Sequence, residues 1–376
     1  MFLINQHQYK AFYKHTPSLF IIDTPFQLLC ATEAIKEFDI VDYLIIAAFD
    51  KSEKRNSQVV EMLEDLNLNY RIEYVEDYWI MINSFLQNKE SIYNNLDLPN
   101  RWLRVFVGNF NALDQWVSAS QYAARNASIV FMDDGSSSID ILKNGHGRNV
   151  MYELAFFGLW EKCNFDVGPY IFTIYSDIRS KKFITYQNNF SHLLSKRNDS
   201  VLHDNNNIYI IGTNLKLYHR AVGVSLSEFE GLLWRKLSEL KNEYPNNEII
   251  YIPHGRDTDC TLDGFCKLLN IKYYSMNCAV EYFFVKNNYN AMAVYGFGST
   301  ALLTLKLIMP STIVVNWFLD NKDSRLYKNY LDVAKYYTKH GINLVVIPYP
   351  NNSILTKIKR CRIVRIFKSI LQRLNF

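Results

Sequence analysis

Asp133-Asp134-Gly135 sets two carboxylates and a turn-forming glycine directly after the apolar run Ala127-Ser128-Ile129-Val130-Phe131-Met132. The acids therefore stand at the C-terminal end of a buried strand, the edge where open α/β sheets bind ligands. Two later segments have the same form. Tyr251-Ile252-Pro253-His254-Gly255-Arg256-Asp257 and Tyr295-Gly296-Phe297-Gly298-Ser299-Thr300 each place polar or flexible residues just past an apolar run. A carboxylate in a cleft can take the proton of a hydroxyl nucleophile as a new bond forms. His254 suits a phosphate ligand or a proton donor to a leaving phosphate. Ser299 and Thr300 precede a helical pattern that starts at Ala301, so they offer hydroxyls and backbone N–H groups to an anion. Base, histidine and anion site together describe transfer of a group from a phosphate leaving group to an alcohol.

Taken singly, the three pieces read as a turn, a surface histidine and a helix cap. Their common placement on strand-end loops carries the functional reading. Successive strand residues point to opposite faces, so adjacent aspartates do not form the chelate that D-x-D would. One acid is expected to face the cleft while the other braces the loop, and no metal is expected. No G-x-G-x-x-G follows the first strand and no Walker motif is present, which argues against nicotinamide enzymes and P-loop NTPases. No resident cofactor is expected.

The positioning elements alternate. SLFIID at 18–23 reads as a strand, and Thr24-Pro25 then caps a helix over Phe26–Ile35. A strand at Tyr43–Ala48, a helix at Ser57–Leu66, a strand at Tyr70–Val75 and a helix around Asp114–Ala124 precede the Asp133 strand. The polar stretch Gln187–Asn207 reads as a linker. The alternation then restarts with Ile208–Ile211, which ends in Gly212-Thr213-Asn214, a turn within reach of a nucleotide. A helix at Ser227–Glu243 and strands at Glu248–Ile252, Ile271–Tyr274, Ala291–Tyr295, Ile313–Asn316 and Leu344–Ile347 follow. Strands alternating with helices imply parallel sheets covered on both faces. The expected fold is α/β, with two Rossmann-like domains and a cleft between them. The domains are 1–190 and 207–350.

The 376 residues are 49% hydrophobic and 21% charged, an ordinary globular composition long enough for two cores. The six cysteines form no CxxC pair and no metal-finger spacing, and read as reduced thiols of a cytoplasmic protein. Gln6, His7, Gln8 and Lys10 break up any apolar leader. Charge is concentrated at the C-terminus. Seven basic residues and no acidic one lie in 357–376, against a net charge of +4 for the chain. Ile354, Ile358, Cys361, Val364, Phe367, Leu371 and Leu374 recur at helical steps, so 352–376 reads as a basic amphipathic helix. It would hold the protein peripherally on the inner face of a bacterial cytoplasmic membrane. No nucleic-acid partner is expected, and a homodimer is left open.

The constellation resembles bacterial sialyltransferases of GT-B fold, especially the lipooligosaccharide sialyltransferase family and more distantly the capsular polysialyltransferases. The shared marks are an acidic pair plus glycine, a His-Pro motif and a Ser/Thr pair. Here they are Asp133-Asp134-Gly135, His254 and Ser299-Thr300. Asn277-Cys278-Ala279-Val280-Glu281-Tyr282 is similar to the family segment whose glutamate holds the donor's ribose, and Thr24-Pro25-Phe26-Gln27 is similar to its first-strand turn. The resemblance spans roughly 18–320.

It implies an inverting transferase in which the C-terminal domain holds the CMP of a CMP-activated sugar and the N-terminal domain holds a glycan or glycolipid acceptor. Asp133 is then the first choice for the base and Asp134 the second. His254, Ser299, Thr300 and Gly298 would receive the CMP phosphate, Glu281 the ribose, and Gly212 and Asn214 the nucleotide, while Gln27 would contact acceptor or donor sugar. Arg256 and Asp257 are expected to pair with each other or with solvent. The family's His-Pro is His254-Gly255 here, a looser loop that leaves room for a donor other than ordinary CMP-N-acetylneuraminate. The expected transferred group is therefore sialic acid or a related nonulosonic acid, with CMP-Kdo a weaker option. Open alternatives are a GT-B transferase using UDP-, GDP- or CMP-Kdo sugars, a metal-dependent phosphohydrolase, and a non-catalytic glycan-binding or assembly protein.

Overall fold

Thr24 and Pro25 stop the first apolar run and start the first helix. β1 (Ser18–Ile22) is buried along its whole length, as a strand inside a parallel sheet must be. Thr24 Oγ1 accepts the Gln27 backbone N–H at 3.1 Å and Pro25 fills the first helical position, opening α1 (Pro25–Glu37). The computed structural model describes residues 15–50, 53–74, 102–112, 115, 118–119, 122–144, 170–180, 183–198, 206–257 and 261–349.

The first domain continues through β2 (Tyr43–Phe49), α2 (Glu53–Asp65), β3 (Tyr70–Tyr74), β4 (Trp102–Val107), β5 (Ala123–Met132), α3 (Ser137–Asn144), β6 (Tyr170–Thr173) and β7 (Ile184–Gln187). Its strands form one parallel sheet in the order β3-β2-β1-β4-β5-β6-β7. After α4 (Ser191–Ser195) the second domain runs through β8 (Ile208–Ile211), α5 (Leu215–Val222), α6 (Leu226–Glu243), β9 (Ile249–Ile252), α7 (Thr261–Leu268) and β10 (Lys272–Tyr273). It ends with α8 (Val280–Lys286), β11 (Ala293–Gly296), α9 (Thr300–Ile308), β12 (Ile313–Asp320), α10 (Tyr327–Lys339) and β13 (Asn343–Pro348). The second sheet is also parallel, in the order β10-β9-β8-β11-β12-β13.

Each sheet thus carries the Rossmann order 3-2-1-4-5-6, with one extra strand on the first. The chain is α/β, with two Rossmann-like domains facing each other across a cleft in the GT-B layout. In each sheet the order reverses beside the first strand. The C-terminal ends of β1 and β4, and of β8 and β11, are therefore the two places where ligands bind in such sheets.

The domains are not separately cored. One apolar cluster runs from the first sheet through α1 to α8, α9 and α10, and on to Tyr209, Ile211, Ile250, Ile252 and Val294 of the second sheet. The alternate residues of the same strands, Ile208, Ile210, Ile249 and Tyr251, belong to a second cluster under α5, α6 and α7, as the two-residue strand period requires. Polar ties cross the seam. Gln58 Nε2 donates to Met276 O at 2.6 Å, Lys286 Nζ to Asp65 at 2.6 Å and Lys339 Nζ to Asp177 at 2.9 Å.

Several sequence expectations need correction. The helix read over Asp114–Ala124 stops short of Ala123, where β5 already begins. The linker read over Gln187–Asn207 contains the end of β7 and the helix α4. That helix is held because Glu33 of α1 accepts the backbone N–H groups of His192 (2.9 Å) and Leu193 (2.6 Å). The amphipathic segment 352–376 lies outside the described residues, and among those described no helix is long and apolar enough to cross a membrane.

Glu33→Ala removes both acceptors from the α4 N-terminus. It should lower unfolding stability by roughly 1.5–3 kcal/mol, read from urea denaturation, and should raise amide exchange over 188–198.

Candidate active site

At the first sheet's switch point, one glutamine ties three strand ends together. Gln27 Oε1 accepts the Asp23 backbone N–H at 2.8 Å, and its Nε2 donates to Asp134 Oδ1 at 2.7 Å. Gln115 Nε2 donates to Gln27 Oε1 and to Asp23 Oδ1, both at 3.2 Å. Asp23 follows β1, Asp134 follows β5, and Gly108, which directly follows β4, clears the space between them. A Cβ on Gly108 would lie 2.3 Å from Gln27 Oε1, so only glycine leaves the amide its place.

Gln27 is 0% exposed. It cannot reach acceptor or donor sugar, and the substrate contact expected of it is corrected to a positioning role on Asp134.

The two aspartates diverge. Asp133 is 0% exposed, with Oδ1 accepting the Thr173 hydroxyl at 2.6 Å and Oδ2 the Ile174 N–H at 2.7 Å. Burial pushes its carboxyl up to about 6 against these bonds. With both oxygens committed inside the protein it braces β5 against β6, and its place as first choice for the base is corrected. Asp134 is half-buried and faces the second domain, where a Cβ on Gly135 would lie 2.8 Å from Thr300 Oγ1. Burial first, and the Asp23 charge second, push Asp134 up to about 7. Asp23 is likewise raised by burial, although Arg55 and Arg256 oppose the shift.

The second domain presents its strand ends opposite. His254 follows β9. Its Nδ1 accepts the Arg256 backbone N–H at 3.1 Å, which leaves the ring proton on Nε2. Burial, then the Arg256, Lys54 and Arg55 charges, push the imidazole down to about 4. It is neutral at pH 7, so it can offer an N–H to an anion but holds no second proton to deliver. Gly255 stands where the resembled family has proline, and a Cβ there would lie 3.0 Å from Gln58 Oε1 of α2. The His254 loop thus closes against the first domain.

Ser299 caps α9 by position but makes no side-chain capping bond, and Thr300 begins the helix beside Gly135. The α9 N-terminus therefore points its positive end at the Asp134 turn.

Three donor-site expectations change. Gly298 already donates its N–H to Asn316 Oδ1 at 2.8 Å, so that group is not turned to a phosphate. Asn214 Oδ1 caps α5 on the Leu217 N–H at 3.2 Å, and Gly212 packs β8 against Ile252 O and His254 N, which makes both scaffold. Glu281 is 3% exposed and accepts the Thr304 hydroxyl at 2.6 Å. In this arrangement it fastens α8 to α9 and does not open on the cleft.

Arg256 pairs not with Asp257 but across the seam, 3.7 Å from Asp23. Asp23, Arg55, Gln115 and Arg256 were not singled out as site residues from sequence. Asp23 had a readable signal, an acid at the end of the first strand. Gln115 had none. A cavity of about 330 Å³ lined by Val224, Phe229, Leu232, Leu319 and Tyr349 lies at another edge of the second domain and includes none of these groups.

No protein-family model matches the chain, and no curated protein matches its sequence. Among solved structures it is similar to an α/β-galactoside α-2,3-sialyltransferase from the luminous marine bacterium Photobacterium phosphoreum, with a TM-score of 0.43 and 11% identity over 88% of this chain and 98% of that one. It is similar to MurG of Acinetobacter baumannii, with a TM-score of 0.41 and 9% identity over 95% and 91%. A third likeness is to a structure named as a UDP-N-acetylglucosamine 2-epimerase from Listeria monocytogenes, with a TM-score of 0.48 and 9% identity over 86% and 89%. At these values the likenesses carry no argument about activity, and the fold rests on the strand order itself.

The raised Asp134 carboxyl sets a pH test. A carboxyl whose folded pKa is raised contributes stability that is present at acid pH and lost as pH rises through the folded value. Asp134→Asn removes that loss. Relative to wild type, the variant should therefore gain in melting temperature between pH 5 and pH 8.

Proposed function

We propose that the protein is an inverting, metal-independent glycosyltransferase. It moves sialic acid or a related nonulosonic acid from a CMP-activated donor to a hydroxyl of a bacterial surface glycan. The observation that carries this reading is the opposition across the seam of Asp134, at one switch point, and the α9 N-terminus with Ser299 and Thr300, at the other.

In this reading Gln27 holds Asp134 Oδ1, and Oδ2 takes the proton of the acceptor hydroxyl. The hydroxyl oxygen attacks the anomeric carbon from the face opposite the leaving group, and the bond to the CMP phosphate breaks. The charge that develops on that phosphate is met by the α9 N-terminus, the Ser299 and Thr300 hydroxyls and the Nε2–H of His254. The base must be ionised to act, so turnover rises with pH as Asp134 loses its proton. Raised by burial and by Asp23, this carboxyl works closer to neutrality than an exposed one. The basic segment 352–376 would bring the enzyme to an anionic membrane where a lipid-linked acceptor lies, which salt-reversible flotation with anionic vesicles tests.

Asp134→Asn should lower kcat by about 10²–10⁴-fold with CMP affinity unchanged by calorimetry. Asp133→Asn, which cannot accept on both sides, should lower stability by roughly 1–3 kcal/mol and leave the chemical step closer to wild type once folded. Full activity of Asp134→Asn removes the base assignment.

In kcat/KM against pH, Asp23→Asn should move the ascending limb to lower pH, because a like charge is lost and Arg55 and Arg256 are released toward Asp134. Turnover should survive EDTA. Loss in EDTA with recovery on adding Mn²⁺ would overturn the metal-independent mechanism.

A further inference from the structure

Arg55 lies in the first turn of α2 and is 3% exposed. Its Nη2 meets Asp50 Oδ1 at 2.7 Å, while its Nη1 stands 3.4 Å from Asp23 Oδ2. Among the described residues neither Nη1 nor Nε has a hydrogen-bond partner. A buried guanidinium with unanswered N–H groups is costly, and such orphans need an explanation. Arg256 comes to the same place from the other domain, with Nη2 3.7 Å from the same Asp23 oxygen. Charge-assisted N–H···O bonds are about 2.7–2.9 Å long. Asp23 Oδ2 therefore lies between two guanidiniums and is properly bonded to neither, while its Oδ1 is engaged by Gln115.

The location is the reaction centre of the reading above. Asp134 and His254 both sense the charges of Arg55 and Arg256. The α9 N-terminus supplies a separate place for the donor phosphate, beside Gly135. What the two guanidiniums lack is an acceptor with two oxygens in one plane, which is the shape a guanidinium fork reads.

We propose that Arg55 and Arg256 form a carboxylate subsite, closing from opposite domains on the acid group of the donor sugar. Asp23 partly answers the two guanidiniums, and the donor's carboxylate completes their bonding. This would make the enzyme selective for acidic sugars and would couple donor binding to the apposition of the two domains. The assignment rests on the transferase reading, and its test separates the two.

Calorimetry is run with three probes: CMP, CMP-3-fluoro-N-acetylneuraminic acid, and the same analogue with its carboxylate converted to a carboxamide. Wild-type protein should bind the acid about tenfold or more tightly than the carboxamide, the loss expected for one charged hydrogen bond. Arg256→Gln, whose side chain is 40% exposed, should bring that ratio close to one and leave CMP affinity within about twofold. Arg55→Gln, if it folds, should do the same.

Equal affinity of wild type for acid and carboxamide overturns the subsite. So does an acid-to-carboxamide ratio unchanged in Arg256→Gln. An Arg256→Gln variant that loses affinity for CMP itself places that arginine on the phosphate and overturns the assignment as well. Wild-type protein that binds none of the three probes overturns the transferase reading, and the subsite with it.

Discussion

Apolar contact across the seam between the domains sets the conditions for everything at the site. The cluster that begins under the first sheet continues through α8 and α9 into the second, so the loops at the two switch points are brought together. Burial is the largest cause of the shifts at Asp23, Asp133, Asp134 and His254 alike. Without the seam, Asp134 would keep the pKa of an ordinary exposed carboxylate.

The polar network is the complement of that apolar interface. Asp133 is satisfied by Thr173 and Ile174, and Asp134 by Gln27, so adjacent residues of one turn take opposite duties. Asp134 lies in the turn after β5, and Gln27, itself held by Asp23 and Gln115, ties that turn back to the end of β1. The ion pairs around Asp23 are longer and less complete.

Much of the fold could be read from sequence because the parallel strands are unbroken apolar runs. SLFII, YLIIAAF and IYII announce themselves. β4, WLRVFV, does not, because Arg104 interrupts it. That arginine is buried and bonds Ser18 Oγ from Nε at 2.9 Å, an arrangement visible only once β1 and β4 are paired. The polar helix YKNYLDVAKYYTK hides in the same way, its Tyr336 and Tyr337 buried against the seam. At the site, residue types at strand ends located the acids, His254 and the Ser/Thr pair. Which aspartate faces outward was beyond the sequence, because it depends on β6 and on Gln27, far away along the chain. The Asp23 pair with Arg256 was hidden for the same reason, since it exists only between domains.

The connection between the sheets has a mechanical consequence. Glu33 grips its start through the α4 backbone, and Arg197, just past α4, binds Ile308 O at 2.8 Å and Asn290 Oδ1 of the second domain. The stretch 191–198 is thus tied to both bodies at once. To part the two halves would mean breaking these bonds or sliding the packed helices past one another, a shear rather than a swing.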